Sequence, residues 1–172
     1  FIFSCNHFFK NNFLKKRRVD FALIGDEINF NDKDFVEYIA KYNTILGFEH
    51  SSKRSTINLI NLKENYPKSF IYLTRYFSRL GYAPRACVLS RLFGANKVDF
   101  IGIDGFKDKR DSHFFEKSKS PPPFNDDKEF IDQMKIFCKY MLSDLKIKPE
   151  NFNDLSEGTL YSGILDEAKE EL

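Results

Sequence analysis

Apolar residues fall along this chain in short bursts separated by charged turns, and the spacing within each burst predicts an element. Phe1–Cys5 (FIFSC) and Val19–Ile24 (VDFALI) are short, nearly continuous apolar runs, the pattern of strands buried on both faces. Asp32–Tyr42 (DKDFVEYIAKY) predicts a helix with Phe35, Val36 and Ile39 on its inner face and Asn31 or Asp32 as its cap. Thr44–Phe48 and Thr56–Leu62 read as short strands on either side of the polar loop His50–Ser55, and Phe70–Phe77 fits a strand or a helix equally well. Ala83–Phe93 (APRACVLSRLF) predicts a helix with Pro84 at its first position, Ala86, Leu89 and Phe93 at helical spacing, and Gly94 as its stop. Lys97–Ile103 (KVDFIGI) follows as a strand, so this stretch is half of a βαβ unit. Lys107–Phe124 is a long polar connection ending in Pro121-Pro122-Pro123, a length that suggests a lid. Asp127–Leu145 predicts a long amphipathic helix, with Phe130, Met134, Phe137 and Met141 as its core stripe. A strand at Phe152–Leu155 and a charged helix at Leu160–Leu172 complete the series. The expected fold class is α/β, a Rossmann-like, mostly parallel sheet flanked by helices, in one domain over residues 1–172.

Composition narrows the functional classes. Over 172 residues, 27 Lys and Arg stand against 25 Asp and Glu, a net charge of +2 where nucleic-acid binders carry a heavier basic excess. No nucleic-acid partner is expected. Mean hydropathy is −0.45, and no apolar run approaches the roughly 20 residues that a membrane-spanning helix needs. Cys5, Cys87 and Cys138 are odd in number and far apart, with no CxxC pair, so reduced thiols and a cytoplasmic location are expected rather than a disulfide framework or a zinc knuckle. Phe1 opens directly into an apolar run, which suggests a fragment whose first strand lies upstream.

Ligands of open α/β sheets sit beyond the carboxyl ends of the strands. The polar residues following three of the expected strands are Asn6-His7, Gly25-Asp26-Glu27 and Asp104-Gly105. If those strands are neighbours, the three ends converge on one crevice; read as ordinary turns, they need no ligand. Gly81-Tyr82-Ala83-Pro84-Arg85 opens the best helix, whose free N–H groups suit a phosphate and whose Arg85 can add a charged bond. His113, on the long polar loop, is placed to shuttle a proton, with His7 and His50 as rivals; none has metal-ligand spacing. Lys15-Lys16-Arg17-Arg18 is a basic run suited to phosphates or to an anionic membrane face, or simply to solvent. P-loop, GxGxxG, GxSxG and HExxH motifs are all absent.

Several of these residues together carry a resemblance. Cys5-Asn6-His7-Phe8-Phe9, a basic spacer and the Val19–Asp26 strand resemble the opening of the bacterial family 42 sialyltransferases. Leu92-Phe93-Gly94, the strand Val98–Ile103, Gly102-Ile103-Asp104 and Ser112-His113-Phe114 resemble the later helix, strand, Gly-Ile-Asp and Ser-His-Tyr segments of that family. The layout is also similar to MptE-like 6-hydroxymethylpterin diphosphokinase domains. The resemblance spans about Phe1–Lys119. It implies a metal-independent transferase of bacterial surface-glycan synthesis, with a nucleotide-sugar as substrate, a glycan as acceptor and no further cofactor. It assigns nucleotide contacts to Asn6 and Asp26, the donor phosphate to the Gly81–Arg85 turn and the cleft floor to Asp104.

The chain also departs from that pattern. Asp26 replaces an amide, Phe106 and Phe114 replace tyrosines that steady the leaving phosphate, and Lys117 stands where the family base would fall, which leaves His113 as the nearer candidate base. A phenylalanine has no hydroxyl to donate, so catalysis would lose transition-state hydrogen bonds. Two alternatives follow: a non-catalytic accessory or binding domain of the same fold, and a pterin diphosphokinase-like phosphotransferase, for which Asp26-Glu27 is the only carboxylate pair at an expected strand end.

Overall fold

The two apolar runs at the beginning of the chain pair side by side. In the computed structural model, which describes residues 1–25, 30–50, 56–74, 76, 79–103, 127–156 and 163–171, strands β1 (Phe3–Cys5), β2 (Phe21–Ile24), β3 (Ile45–Glu49) and β4 (Ser69–Tyr72) form one sheet. All three pairings are parallel and the strands lie in chain order, β1-β2-β3-β4. Helix α1 (Lys33–Tyr42) lies between β2 and β3, and α2 (Thr56–Asn65) between β3 and β4. The fold class is mixed α/β, with a parallel sheet flanked by helices. The chain divides into two compact units, Phe1–Arg75 and Tyr76–Leu172.

In the first unit the register sorts side chains onto two faces. Ala22, Ile24, Leu46 and Phe48 pack with Phe35 and Tyr38 of α1 and with Phe8 and Phe9 of the β1–β2 connection, and Leu62 and Tyr66 close the same cluster. On the opposite face an aromatic row runs across the strands: the Phe3 and Phe21 rings are 5.2 Å apart and the Phe21 and Phe70 rings 4.6 Å. Phe70 is on β4, so the last contact passes over β3, where the register places Gly47 beside Leu23 and Phe70. A Cβ on Gly47 would stand 2.9 Å from the tip of the Phe21 ring and 3.1 Å from Leu23 Cδ2. Gly47 is there for space. With apolar side chains on both faces, β2 is buried along its whole length, which is why FALI reads as an unbroken apolar run.

Helix α1 starts where the Asp32 carboxylate accepts the Asp34 N–H at 3.0 Å and ends at Asn43, whose left-handed φ of 55° turns the chain out. Its inner stripe differs from the expected one: Phe35 and Tyr38 are buried, whereas Val36 is 47 % exposed. Tyrosine replaces valine there because its hydroxyl has work at the rim of the core. Tyr38 Oη accepts the N–H of buried Val19 at 3.0 Å and donates to the Arg17 carbonyl at 2.6 Å. Desolvation raises the pKa of that phenol, with the Val19 hydrogen bond opposing. Helix α2 overturns the strand expected at Thr56–Leu62. Adjacent parallel strands cannot be joined without a crossover, and a strand between β3 and β4 would leave none.

The second unit is built on a separate parallel pair. Helix α3 (Tyr82–Leu92) has Gly81 as its cap, so Pro84 falls third rather than first, still inside the turn whose N–H groups have no helical partner. At its far end the Gly94 N–H bonds the Arg91 carbonyl at 3.0 Å and the Ala95 N–H bonds that of Ser90 at 3.0 Å, a Schellman stop allowed by the φ of +94° at Gly94. Phe93, expected to face inward, lies past the last helical residue and is 58 % exposed. Strand β5 (Val98–Phe100) pairs with β6 (Phe152–Asp154), and Asn153 donates to the Asp99 carboxylate directly opposite at 2.8 Å. That bond, with Lys97, lowers the Asp99 pKa. Helix α4 (Asp127–Lys139) continues into a wider π-helical turn at Tyr140–Asp144. Its stripe Phe130, Met134, Phe137 and Met141 is buried as expected, and Phe137 meets the rings of Phe100 and Phe152 at 5.8 and 5.6 Å. Helix α5 (Ile164–Glu170) packs Ile164 and Leu165 into the same core.

Substituting Gly47→Ala tests the aromatic row. The Phe21 ring is held between Phe3 and Phe70 and has little room to yield, so the change lowers stability by about 1–3 kcal/mol in urea unfolding. Adding Phe21→Leu recovers part of that loss. An alanine at position 47 that leaves the unfolding midpoint unchanged contradicts the packing described.

Candidate functional site at the carboxyl edge of the parallel sheet

Because β1–β4 are all parallel, their carboxyl ends share one edge. β1 hands over to Asn6, whose N–H bonds the Leu23 carbonyl at 2.9 Å, extending the ladder by one residue. Asn6 then turns left-handed, φ 44°, a conformation that asparagine tolerates better than other side-chain-bearing residues. Its Oδ1 accepts the Gly25 N–H at 2.8 Å. The two strand ends are thereby tied together by the first residue after β1 and the first after β2. The Asn6 Nδ2 has no hydrogen-bond partner among the described residues.

Across the same edge, Glu49 ends β3 directly opposite Tyr72 of β4, and the His50 N–H donates to the Tyr72 carbonyl at 2.9 Å. Glu49, Tyr72 and Thr74 are all buried. Glu49 and Tyr72 thus end β3 and β4 on the same sheet edge as the Asn6–Gly25 tie. Sequence reasoning missed these three. The signal was present: Glu49 directly follows the apolar run Ile45–Phe48, as Asn6 directly follows the run Phe1–Cys5.

Of the expected site residues, Asn6, Gly81 and Arg85 are described. Asp26, Asp104, His113 and the expected lid over 107–124 lie outside the described residues. Asn6 and Gly25, the neighbour of Asp26, are brought together as expected. The third expected strand end does not belong to this sheet: β5, which leads toward Asp104, pairs with β6, and α3 and α4 share its core. In the second unit, Gly81 takes a φ of +86° open only to glycine at low cost, starting α3. The Arg85 guanidinium lies 5.2 Å from the Tyr82 ring centroid, a cation–π contact that folds it against the first turn of its own helix. His7 is half-buried beside Phe9, and His50 is exposed.

Two of the three thiols, those of Cys5 and Cys138, are not poised for nucleophilic work. Cys5, Cys87 and Cys138 are unbridged. Desolvation pushes Cys5 up to about 11 and Cys138 up to about 12, so both are protonated at neutral pH. Among the described residues, no group of three or more His, Cys, Asp or Glu side chains is gathered as a metal site. No helix among them is long and apolar enough to cross a membrane. No family model, curated protein or solved structure matches the chain.

The strand-end tie makes its own prediction. Asn6→Ala removes the acceptor for Gly25 and puts a Cβ-bearing residue without a polar end at φ 44°, a loss of roughly 1–3 kcal/mol in urea unfolding. Asn6→Asp keeps the acceptor and stays within about 1 kcal/mol of wild type. Equal losses for the two variants would remove the tie from the account.

Proposed function

We propose that the chain is a nucleotide-binding, Rossmann-like domain of the glycosyltransferase kind, which moves a sugar from a nucleotide donor to a glycan acceptor. The monotonic order of β1–β4 corresponds to one half of a doubly wound sheet, and such sheets take their ligands at the carboxyl edge. The observation that carries the reading is the Asn6–Gly25 tie. It commits the amide oxygen of Asn6 to the fold and leaves the amide nitrogen as a donor at the strand ends. In this proposal Nδ2 donates to a base carbonyl or phosphate oxygen, and Glu49 and Tyr72 lie along the same edge, where they suit sugar hydroxyls. Asp26, next in the chain after Gly25, has the nucleotide-contacting role that the resemblance implies.

A second reading, a binding domain without catalysis, is favoured by one specific observation. Two of the three described site residues have intramolecular duties: Asn6 Oδ1 holds Gly25, and the Arg85 guanidinium stacks on Tyr82. Both readings require a nucleotide to bind; only the first requires it to react.

Calorimetric titration with cytidine, uridine and guanosine monophosphates tests the shared part. One of the three binds, and Asn6→Asp weakens that binding at least about tenfold, 1.4 kcal/mol, while leaving stability nearly unchanged. Binding by none of them, or equal binding by the variant, overturns the proposal. Release of nucleotide from the matching nucleotide-sugar in the presence of a glycan acceptor separates transferase from binding domain.

A further inference from the structure

The basic run near the start of the chain is presented in an unusual way. Asn11 Oδ1 accepts the N–H groups of Phe13 at 2.9 Å and Leu14 at 3.2 Å, and the Lys15 N–H returns to the Asn11 carbonyl at 2.8 Å. These bonds fix a tight turn, out of which the Phe13 side chain projects, 78 % exposed. Beyond it the backbone is fastened to α1 through carbonyls: Tyr42 Oη donates to Lys15 at 3.1 Å and Tyr38 Oη to Arg17 at 2.6 Å. Leu14 packs into the core between them. With the main chain held on its inner side, the cationic side chains are turned outward. Lys15, Lys16, Arg17 and Arg18 are all exposed, and the first three form no ion pair among the described residues. Arg18 is paired with Asp20 at 3.1 Å. Lys41 joins the group, its ammonium 4.8 Å from the Tyr42 ring whose hydroxyl reaches Lys15. Of the ion-paired acids of α1 and its cap, Asp32 meets Lys10 at 3.5 Å, and Glu37, one turn before Lys41, meets Lys33 at 3.6 Å.

We propose that residues 13–18, with Lys41, form a docking surface for an anionic lipid bilayer, the cations lying over the headgroups and the Phe13 ring entering the interface. This goes beyond the nucleotide site and does not depend on it. An exposed aromatic at the tip of a turn flanked by unpaired cations has both parts of a peripheral anchor: electrostatic attraction, and an apolar group to insert. A nucleic acid is the less fitting partner. Strand binding uses a groove lined by several stacking rings, and here one ring projects from a turn. Because the turn is fixed by hydrogen bonds, little order has to be imposed when the surface docks.

The chain contains no tryptophan, so Phe13→Trp installs a single indole at the tip, whose emission is read apart from that of the eight tyrosines by excitation at the red edge. Vesicles of phosphatidylcholine with about 30 % phosphatidylserine, in about 0.1 M salt, bind the chain and blue-shift the emission of F13W, and pure phosphatidylcholine does neither. Each cation near such a surface is worth roughly fivefold in binding, so the triple variant Lys15→Ala, Lys16→Ala, Arg17→Ala loses about 100-fold. These side chains are exposed, and the variants keep the wild-type unfolding midpoint. Three results would each overturn the proposal: undiminished binding by the triple variant, unshifted F13W emission on bound vesicles, or a single-stranded oligonucleotide that displaces the vesicles at equal charge.

Discussion

The first unit depends on one constraint: neighbouring strands that run parallel and follow one another in the chain must each be linked by a crossover. β1, β2, β3 and β4 obey it three times in one direction, and right-handed crossovers taken in one direction land on one face. Phe8 and Phe9 from the first link, Phe35 and Tyr38 from α1, and Leu62 and Tyr66 near the end of the third link gather accordingly in a single cluster. The other face then has to be apolar without help from those connections. It is closed along the sheet by the row Phe3, Phe21 and Phe70, which can pass over β3 because Gly47 offers no side chain.

The same constraint sorts the chemistry. Parallel strands put all their carboxyl ends on one edge, so residues far apart in sequence, Asn6, Gly25, Glu49 and Tyr72, meet there. It also sets the struts of the basic segment. The β1–β2 connection has to cross the α1 face, and Tyr38 and Tyr42 catch its carbonyls as it passes. A tyrosine hydroxyl at the core rim gains from such a partner, and carbonyls left over by the short 3-10 turns of the connection gain from such a donor. One set of bonds therefore satisfies the core rim and holds the cations outward.

Much of this was legible in the sequence, for identifiable reasons. Strands buried on both faces leave continuous apolar runs, and β1, β2 and β3 follow from theirs. Helix α3 announces its end through Gly94, and α4 shows its inner side through Phe130, Met134, Phe137 and Met141. The failures share a cause: local pattern was asked to answer a question of topology or of polar partnership. The run Thr56–Leu62 is compatible with a strand by composition, and only the parallel pairing of β3 with β4 makes it a helix. Val36 is more apolar than Tyr38, and only the Val19 and Arg17 groups that need a hydroxyl explain which of them is buried. Within the site, the strand-end rule found Asn6 without its bond to Gly25 and passed over Glu49, because the rule was applied to three strands rather than to every one.

The direct test of a ligand site on the carboxyl edge is residue-resolved. In proton–nitrogen correlation spectra, titration with the nucleotide that binds is predicted to move the Asn6 side-chain NH2 and the backbone amides of Gly25, Glu49 and His50. Amides at the opposite edge, such as those of Thr44 and Ser69, stay in place. Shifts confined to that opposite edge, with the Asn6 side chain unmoved, would contradict the account.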